Sequence, residues 1–131
     1  MSDVDELMRA VDTGDVASLS ALISAKADID VTDSRKRPLL HRVIEAGHVE
    51  MFEMLIAAKA NVNVRDHERQ TTLHLAAKKA HTTIMQLLID ANAKISARDG
   101  DGNAPLHCAA EGGHWSALWV LLDAKASVNL I

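Results

Sequence analysis

Apolar residues recur at helical spacing along the chain, in short blocks that are separated by polar stretches. Ile84, Leu87 and Leu88 follow the i, i+3, i+4 spacing of an amphipathic helix. The block before them, with Leu73 and residues 75–77, places small side chains on one face. A polar, turn-rich stretch opens each such unit, reading DSRKR, DHERQ or DGDGN. The pattern therefore predicts pairs of short helices separated by polar turns.

This pattern recurs with a period of 33 residues, shown first by Asp33, Asp66 and Asp99. Four further columns keep the same register: His41, His74 and His107; His48, His81 and His114; Leu22, Leu55, Leu88 and Leu121; Ala27, Ala60, Ala93 and Ala126. Two short helices cannot bury their apolar faces alone, so each unit must stack on its neighbours. The repeat predicts an all-α solenoid.

The residues of each unit resemble the ankyrin repeat family over the whole chain. The family's Thr-Pro-Leu-His signature appears as Thr-Thr-Leu-His at 71–74, as Ala-Pro-Leu-His at 104–107, and more weakly as Pro-Leu-Leu-His at 38–41. The resemblance implies a solenoid of four helix-turn-helix units with hairpin-like fingers in a single domain, 1–131. Its units are a capping repeat at 1–32 and repeats at 33–65, 66–98 and 99–131.

One position departs from the family pattern. The family places glycine where the second helix of each repeat ends in a left-handed conformation. This chain has Lys26, Lys59, Asn92 and Lys125 there. A lysine in that conformation costs about 1 kcal/mol or less relative to glycine. We therefore expect strained helix ends, followed by closing motifs such as Ala-Ser-Val-Asn at 126–129.

Composition narrows the possible functions. The chain has 131 residues, a net charge of −4 and a single cysteine, Cys108, which excludes a disulfide scaffold and a Cys-rich zinc site. Its first residues lack the basic and apolar regions of a signal peptide, so we expect none, and no apolar run approaches the ~20 residues of a membrane span. We expect a cytoplasmic or nuclear protein without membrane insertion. The scarcity of aromatic residues makes nucleic acid an improbable ligand.

The histidines and the cysteine do not predict an enzyme. Six of the seven histidines lie in the two repeat columns, where the resemblance implies hydrogen bonds that join adjacent units. His67 lies outside both columns and is expected to be an exposed contact residue. Cys108 lies beside two alanines in a first helix, which predicts a buried, unreactive thiol. We therefore predict no catalytic residue, no metal ligand and no cofactor.

Charge is distributed unevenly along the chain. Residues 1–33 carry a net charge of −6, residues 34–98 carry +5 and residues 99–131 carry −3. The resemblance implies that fingers and first helices form the binding surface, so we predict that this surface binds a protein or peptide, and the positive charge of the central segment predicts an acidic one. The predicted contact residues are Arg35, Arg37, Glu45, His67, Glu68, Gln70, Lys78, Lys79, Asp101, Asn103 and Glu111.

The last repeat carries two tryptophans, Trp115 and Trp119, spaced i, i+4 on one side of its second helix. With few charged residues around them, they predict a contact patch covered by further repeats, a second copy of the chain or a partner. The uncapped end also suggests a fragment of a longer protein. The alternative function is therefore the N-terminal regulatory or targeting segment of a larger enzyme or signalling protein.

Overall fold

The computed structural model describes residues 2–129, with side chains as far as Lys125. The described chain is all-α and contains eight helices. They are α1 (Asp3–Thr13), α2 (Val16–Ser24), α3 (Leu39–Ala46), α4 (Val49–Ala57), α5 (Thr72–Lys78), α6 (Thr82–Asp90), α7 (Pro105–Glu111) and α8 (Trp115–Asn129). The predicted division into helix pairs is confirmed.

The helices form two layers that run the length of the stack. The first helix of each repeat packs on the first helix of the next, giving an inner layer of α1, α3, α5 and α7. The outer layer consists of α2, α4, α6 and α8. The buried core lies between the layers and includes Leu7, Ile44, Phe52, Leu73 and Ile84. Burying apolar faces against neighbouring units is what stabilises helices of only seven to eleven residues, such as α5 and α1.

The turn between the two helices of a repeat requires a left-handed backbone. Gly14, Gly47 and Gly113 take positive φ angles of 72°, 72° and 68° there. Ala80 occupies the same position in the third repeat with φ 55°, although its Cβ disfavours this conformation. The Gly-His and Ala-His pairs of the sequence therefore mark the inter-helix turns.

The outer helices end as the sequence predicts in three repeats. Lys26, Lys59 and Asn92 have φ angles of 64°, 70° and 68°. The prediction for Lys125 is wrong, because that residue lies inside α8. In the first three repeats the turn leads into the hairpin-like finger that precedes the next helix pair. Within the described residues no such finger follows α8, and Ala124 and Lys125, which favour helix, carry it on to Asn129.

Candidate interaction surface

Three hairpin-like fingers project from one side of the stack. Finger 2 comprises residues 30–38, finger 3 residues 63–71 and finger 4 residues 96–104. Each finger spans the boundary between two 33-residue units and is counted with the helix pair that follows it, so finger 2 belongs to the second repeat, finger 3 to the third and finger 4 to the fourth. Backbone pairing joins Thr32 to Pro38 and Arg65 to Thr71 at the bases of fingers 2 and 3. Together with the exposed ends of the inner helices, the fingers form what we call the finger surface.

The recurring aspartate holds each finger in shape. The Oδ1 atom of Asp33 accepts hydrogen bonds from the backbone amides of Arg35 and Arg37, at 2.8 and 2.9 Å. Asp66 and Asp99 accept the equivalent amide pairs in fingers 3 and 4. The 33-residue aspartate column therefore marks the turn that shapes each finger.

Asp33 also anchors the ion pairs beneath finger 2. Its Oδ2 atom lies 2.8 Å from Arg42 Nη1 and 3.2 Å from Arg37 Nε. Burial alone would raise the pKa of Asp33, but hydrogen bonds from two backbone amides and both guanidinium groups lower it to about 2. Arg42 also pairs with Asp12 of α1, which ties the first repeat to the second.

The first histidine column forms a ladder between repeats. His41 Nε2 donates to the carbonyl of Gln70 at 2.9 Å, and His74 Nε2 donates to the carbonyl of Asn103 at 2.6 Å. Each acceptor lies in the finger of the following repeat. Burial lowers the pKa of both histidines, which favours the neutral ring that this geometry requires. The predicted bond between adjacent units is confirmed for His41 and His74, whereas His107 is exposed and, within the described residues, its Nδ1 accepts only from the amide of Ala104 in its own repeat.

The histidines of the second column pack against glycines and make no hydrogen bonds through their rings in the described part of the chain. The His48 ring lies against Gly14, where an added Cβ would come within 3.3 Å of it, and His81 lies against Gly47 in the same way. His114 turns back onto Gly112 of its own repeat. No ring nitrogen of this column makes a hydrogen bond within residues 2–129, so the hydrogen-bonding role expected for these three residues is wrong.

The predicted contact residues differ in accessibility. Those with exposed side chains are Arg35, Glu45, His67, Glu68, Lys78, Lys79, Asp101 and Glu111, while Arg37 and Asn103 are half-buried. Gln70 is only 8% exposed, contrary to the prediction of a surface residue. Its amide donates to Glu68 Oε2 and accepts from Lys78 Nζ, both at 2.8 Å. The buried Gln70 side chain therefore positions Glu68 and Lys78, which are two of the predicted contact residues.

Several cations are already neutralised or tied to the backbone. Arg37 Nη1 lies 3.2 Å from Glu45 Oε2, so these two predicted contact residues pair with each other. Arg65 Nη1 donates to the carbonyls of Arg69 and Arg98, and Arg98 donates to the carbonyl of Gly102. These side chains shape the finger surface rather than offering free charge.

Two finger residues outside the predicted contact set also reach solvent. Lys36 and Arg69 are exposed and have positive φ angles of 62° and 64°, at the position that Gly102 holds in finger 4. Glycine adopts a left-handed backbone without strain, so the alignment of Gly102 with Lys36 and Arg69 was the sequence feature that could have predicted a left-handed backbone at these finger tips.

A cleft of about 400 Å³ opens between finger 4 and the inner helices. It is lined by Lys78, Asp99, Asp101, Asn103, Cys108, Glu111 and Gly112. Cys108 is 5% exposed, which confirms the predicted burial of its side chain, and that burial raises the pKa of its thiol. Among the residues that the structure describes, no group of three histidine, cysteine or acidic side chains could hold a metal ion.

The two tryptophans lie one helical turn apart on the last outer helix, α8. Trp115 and Trp119 are 79% and 72% exposed. Because residues spaced i, i+4 are neighbours on a helix surface, the two indoles form one exposed apolar pair. Thr82 and Gln86 hold the equivalent positions one repeat earlier, where Thr82 is half-buried and Gln86 is exposed.

The comparisons with known proteins agree with this architecture. A family model for ankyrin repeats in three copies matches residues 7–99 and, overlapping, residues 40–131. The chain belongs to the ankyrin repeat family, whose stacked repeats generally mediate protein–protein interactions. A comparison with curated proteins found no significant match. None of the helices described here is long and apolar enough to cross a membrane.

Proposed function

We propose that this chain is a non-catalytic interaction module that binds an acidic segment of a partner protein on the finger surface. The observation that carries the proposal is a set of four exposed cations on this surface whose side chains make neither an ion pair nor a hydrogen bond within the described part of the chain: Arg35, Lys36, Arg69 and Lys79. They lie on fingers 2 and 3 and at the end of α5.

The charge pattern limits where an acidic segment would bind. Asp101 and Glu111 make repeat 4 acidic, so the favourable region is confined to repeats 2 and 3. Charge complementarity there would accelerate association, and added salt would slow it by screening. The inner framework is held by hydrogen bonds and burial, so binding requires little ordering of the fingers themselves.

Charge reversal tests the proposal. Arg35, Arg69 and Lys79 are changed together to glutamate, and a matched variant reverses Lys26, Lys59 and Lys94, which are exposed cations outside the finger surface. Both variants change the net charge equally. Each protein is used to capture partners from a cell lysate, and partners identified by mass spectrometry are then measured by biolayer interferometry at two salt concentrations.

The finger variant should lose at least tenfold in affinity for a partner that the parent chain captures, mostly through slower association. The matched variant should keep both the affinity and the salt dependence of the parent. Equal binding by all three proteins would exclude an acidic contact on fingers 2 and 3.

A further inference from the structure

Fingers 3 and 4 are fastened to each other by two hydrogen bonds that depend on residue type. The amide of Gly100 donates to the carbonyl of Glu68 at 2.9 Å. Arg65 Nη1 donates to the carbonyl of Arg98 at 2.7 Å. We call these two bonds the staples, because each joins the backbone of one finger to a group on its neighbour.

Neither staple is present between fingers 2 and 3. The residue at the position of Arg65 is Thr32, whose side chain is too short to reach the next finger. The residue at the position of Gly100 is His67. A Cβ added at Gly100 would lie 2.9 Å from the Glu68 carbonyl oxygen, so a residue with a side chain cannot make this approach unless the backbone shifts.

One cross-finger bond is common to both junctions. The Asn63 side chain accepts from the amide of Lys94 at 3.0 Å, and the Asp30 side chain accepts from the amide of Asn61 at 2.9 Å. These two amides are equivalent in register, but the Asn61 amide donates to a carboxylate oxygen of Asp30 and the Lys94 amide donates to the carboxamide oxygen of Asn63. A charged acceptor makes the stronger hydrogen bond, so lower protection at Asn61 cannot result from its partner. The two amides therefore serve as probes, Lys94 for the stapled junction and Asn61 for the junction without staples.

The histidine that bonds across the junction between fingers 2 and 3 is also held by fewer hydrogen bonds than the histidine at the next junction. His74 Nδ1 accepts from the amide of Thr71 at 3.1 Å, which fixes its ring. Pro38 holds the position of Thr71 and has no N–H to donate. The buried Nδ1 atom of His41 consequently has no hydrogen-bond partner within the described residues. The ring that reaches finger 3 is thus held at one nitrogen only.

Helix packing follows the same trend. Helices α3 and α5 pack against each other less extensively than α1 with α3, or α5 with α7. The first two repeats gain a further link through the pair of Arg42 with Asp12. By helix packing, the junction between the second and third repeats is the least connected of the three, and unlike the junction between the third and fourth repeats it also has no staple.

We propose that the solenoid bends at the junction between the second and third repeats, with fingers 3 and 4 moving as one rigid unit. Finger 2 moves against that unit together with the first repeat. Such bending changes the spacing between Arg35 on finger 2 and Arg69 on finger 3. If the proposed function holds, a partner that contacts both cations would fix one spacing, but the bending itself does not depend on any partner.

Hydrogen exchange of the isolated full chain tests this directly. Protection factors, corrected for intrinsic exchange rates, are measured by NMR at the Asn61 and Lys94 amides under native conditions. The Asn61 amide should be at least tenfold less protected than the Lys94 amide. Equal protection, or greater protection at Asn61, would overturn the proposal without any variant being made.

Two variants move the staples between junctions. Combining Thr32→Arg with His67→Gly supplies both staple residues to fingers 2 and 3, and should raise Asn61 protection while leaving Lys94 unchanged. Gly100→Ala removes a staple from the other junction and should lower Lys94 protection alone. Circular dichroism melts confirm that each variant is folded. If the folded double variant left Asn61 protection unchanged, staples would not control the bend.

Discussion

Pro38 leaves the Nδ1 atom of the buried His41 without a hydrogen-bond donor. At the equivalent positions, the amides of Thr71 and Ala104 donate to the ring three residues later, at 3.1 and 3.0 Å. A buried acceptor without a partner costs about 1–3 kcal/mol. One proline therefore accounts for a specific loss of stability in the second repeat.

Replacing Pro38 by threonine should stabilise the chain by about 1 kcal/mol, because the regained amide bond to His41 exceeds the entropy lost by removing a proline. The backbone angles at Pro38 (−62°, 149°) and Thr71 (−84°, 171°) are close enough for the exchange. Urea unfolding measures the gain. Pro38→Ala supplies the amide without the hydroxyl, and a lower urea midpoint for both variants would contradict the assignment.

Stability should decrease on mild acidification. Burial lowers the pKa of His41 and His74 in the folded chain, so the unfolded chain binds protons more readily. Their contribution is complete above the ordinary histidine value of about 6.5 and is lost as the pH falls below it. Urea unfolding between pH 7.5 and 5.5 measures the slope. His41→Gln should reduce the slope, because it removes one of the two buried rings.

Glycine should have opposite effects at two equivalent lysines. Lys59 has a φ of 70°, so Lys59→Gly relieves up to about 1 kcal/mol of strain, less the greater entropy of glycine in the unfolded chain. Lys125 lies within α8, where Lys125→Gly should cost up to about 1 kcal/mol of helix stability. Urea midpoints that move in the same direction would show that the two backbones are alike.

Both tryptophans should be accessible to iodide in the monomer. They are the only indoles of the chain and are 79% and 72% exposed, so fluorescence quenching should approach that of a free indole. Trp115→Thr and Trp119→Gln, which copy the third repeat, separate the two signals. Light scattering over a dilution series accompanies the quenching. Protection that disappears on dilution would identify self-association through this patch, while full protection in a monomer would contradict the structure.

The repeat register was sufficient to predict the helix pairs, the aspartate turns of the fingers and the left-handed backbone at Lys59. These features depend on contacts that recur identically in each unit. Lys125 shows the limit of that reasoning, because a turn that depends on a following finger is not specified by its own residues. Helix propensity then determines the backbone.

The contact surface was less predictable than the fold. Gln70 lies in a polar stretch of sequence, and only the folded chain brings Lys78 over its amide to bury it. The pairing of Arg37 with Glu45 likewise requires the finger to fold back towards the end of α3. A sum of charges along the sequence treats every cation as free to bind a partner, whereas several of these cations bond to other groups within the folded chain.

Because the aspartate of each finger fixes the loop backbone, the residues at the finger tip can be substituted. Because Asp33 satisfies the amides of Arg35 and Arg37 through its own side chain, the conformation of the loop does not depend on the side chains of Ser34 or Arg35. Those positions can diverge, or accept grafted residues, at little cost in folding. A library randomised at 34–35, 67–68 and 101, with Gly100 retained in every member, would therefore sample new binding specificities on an unchanged scaffold.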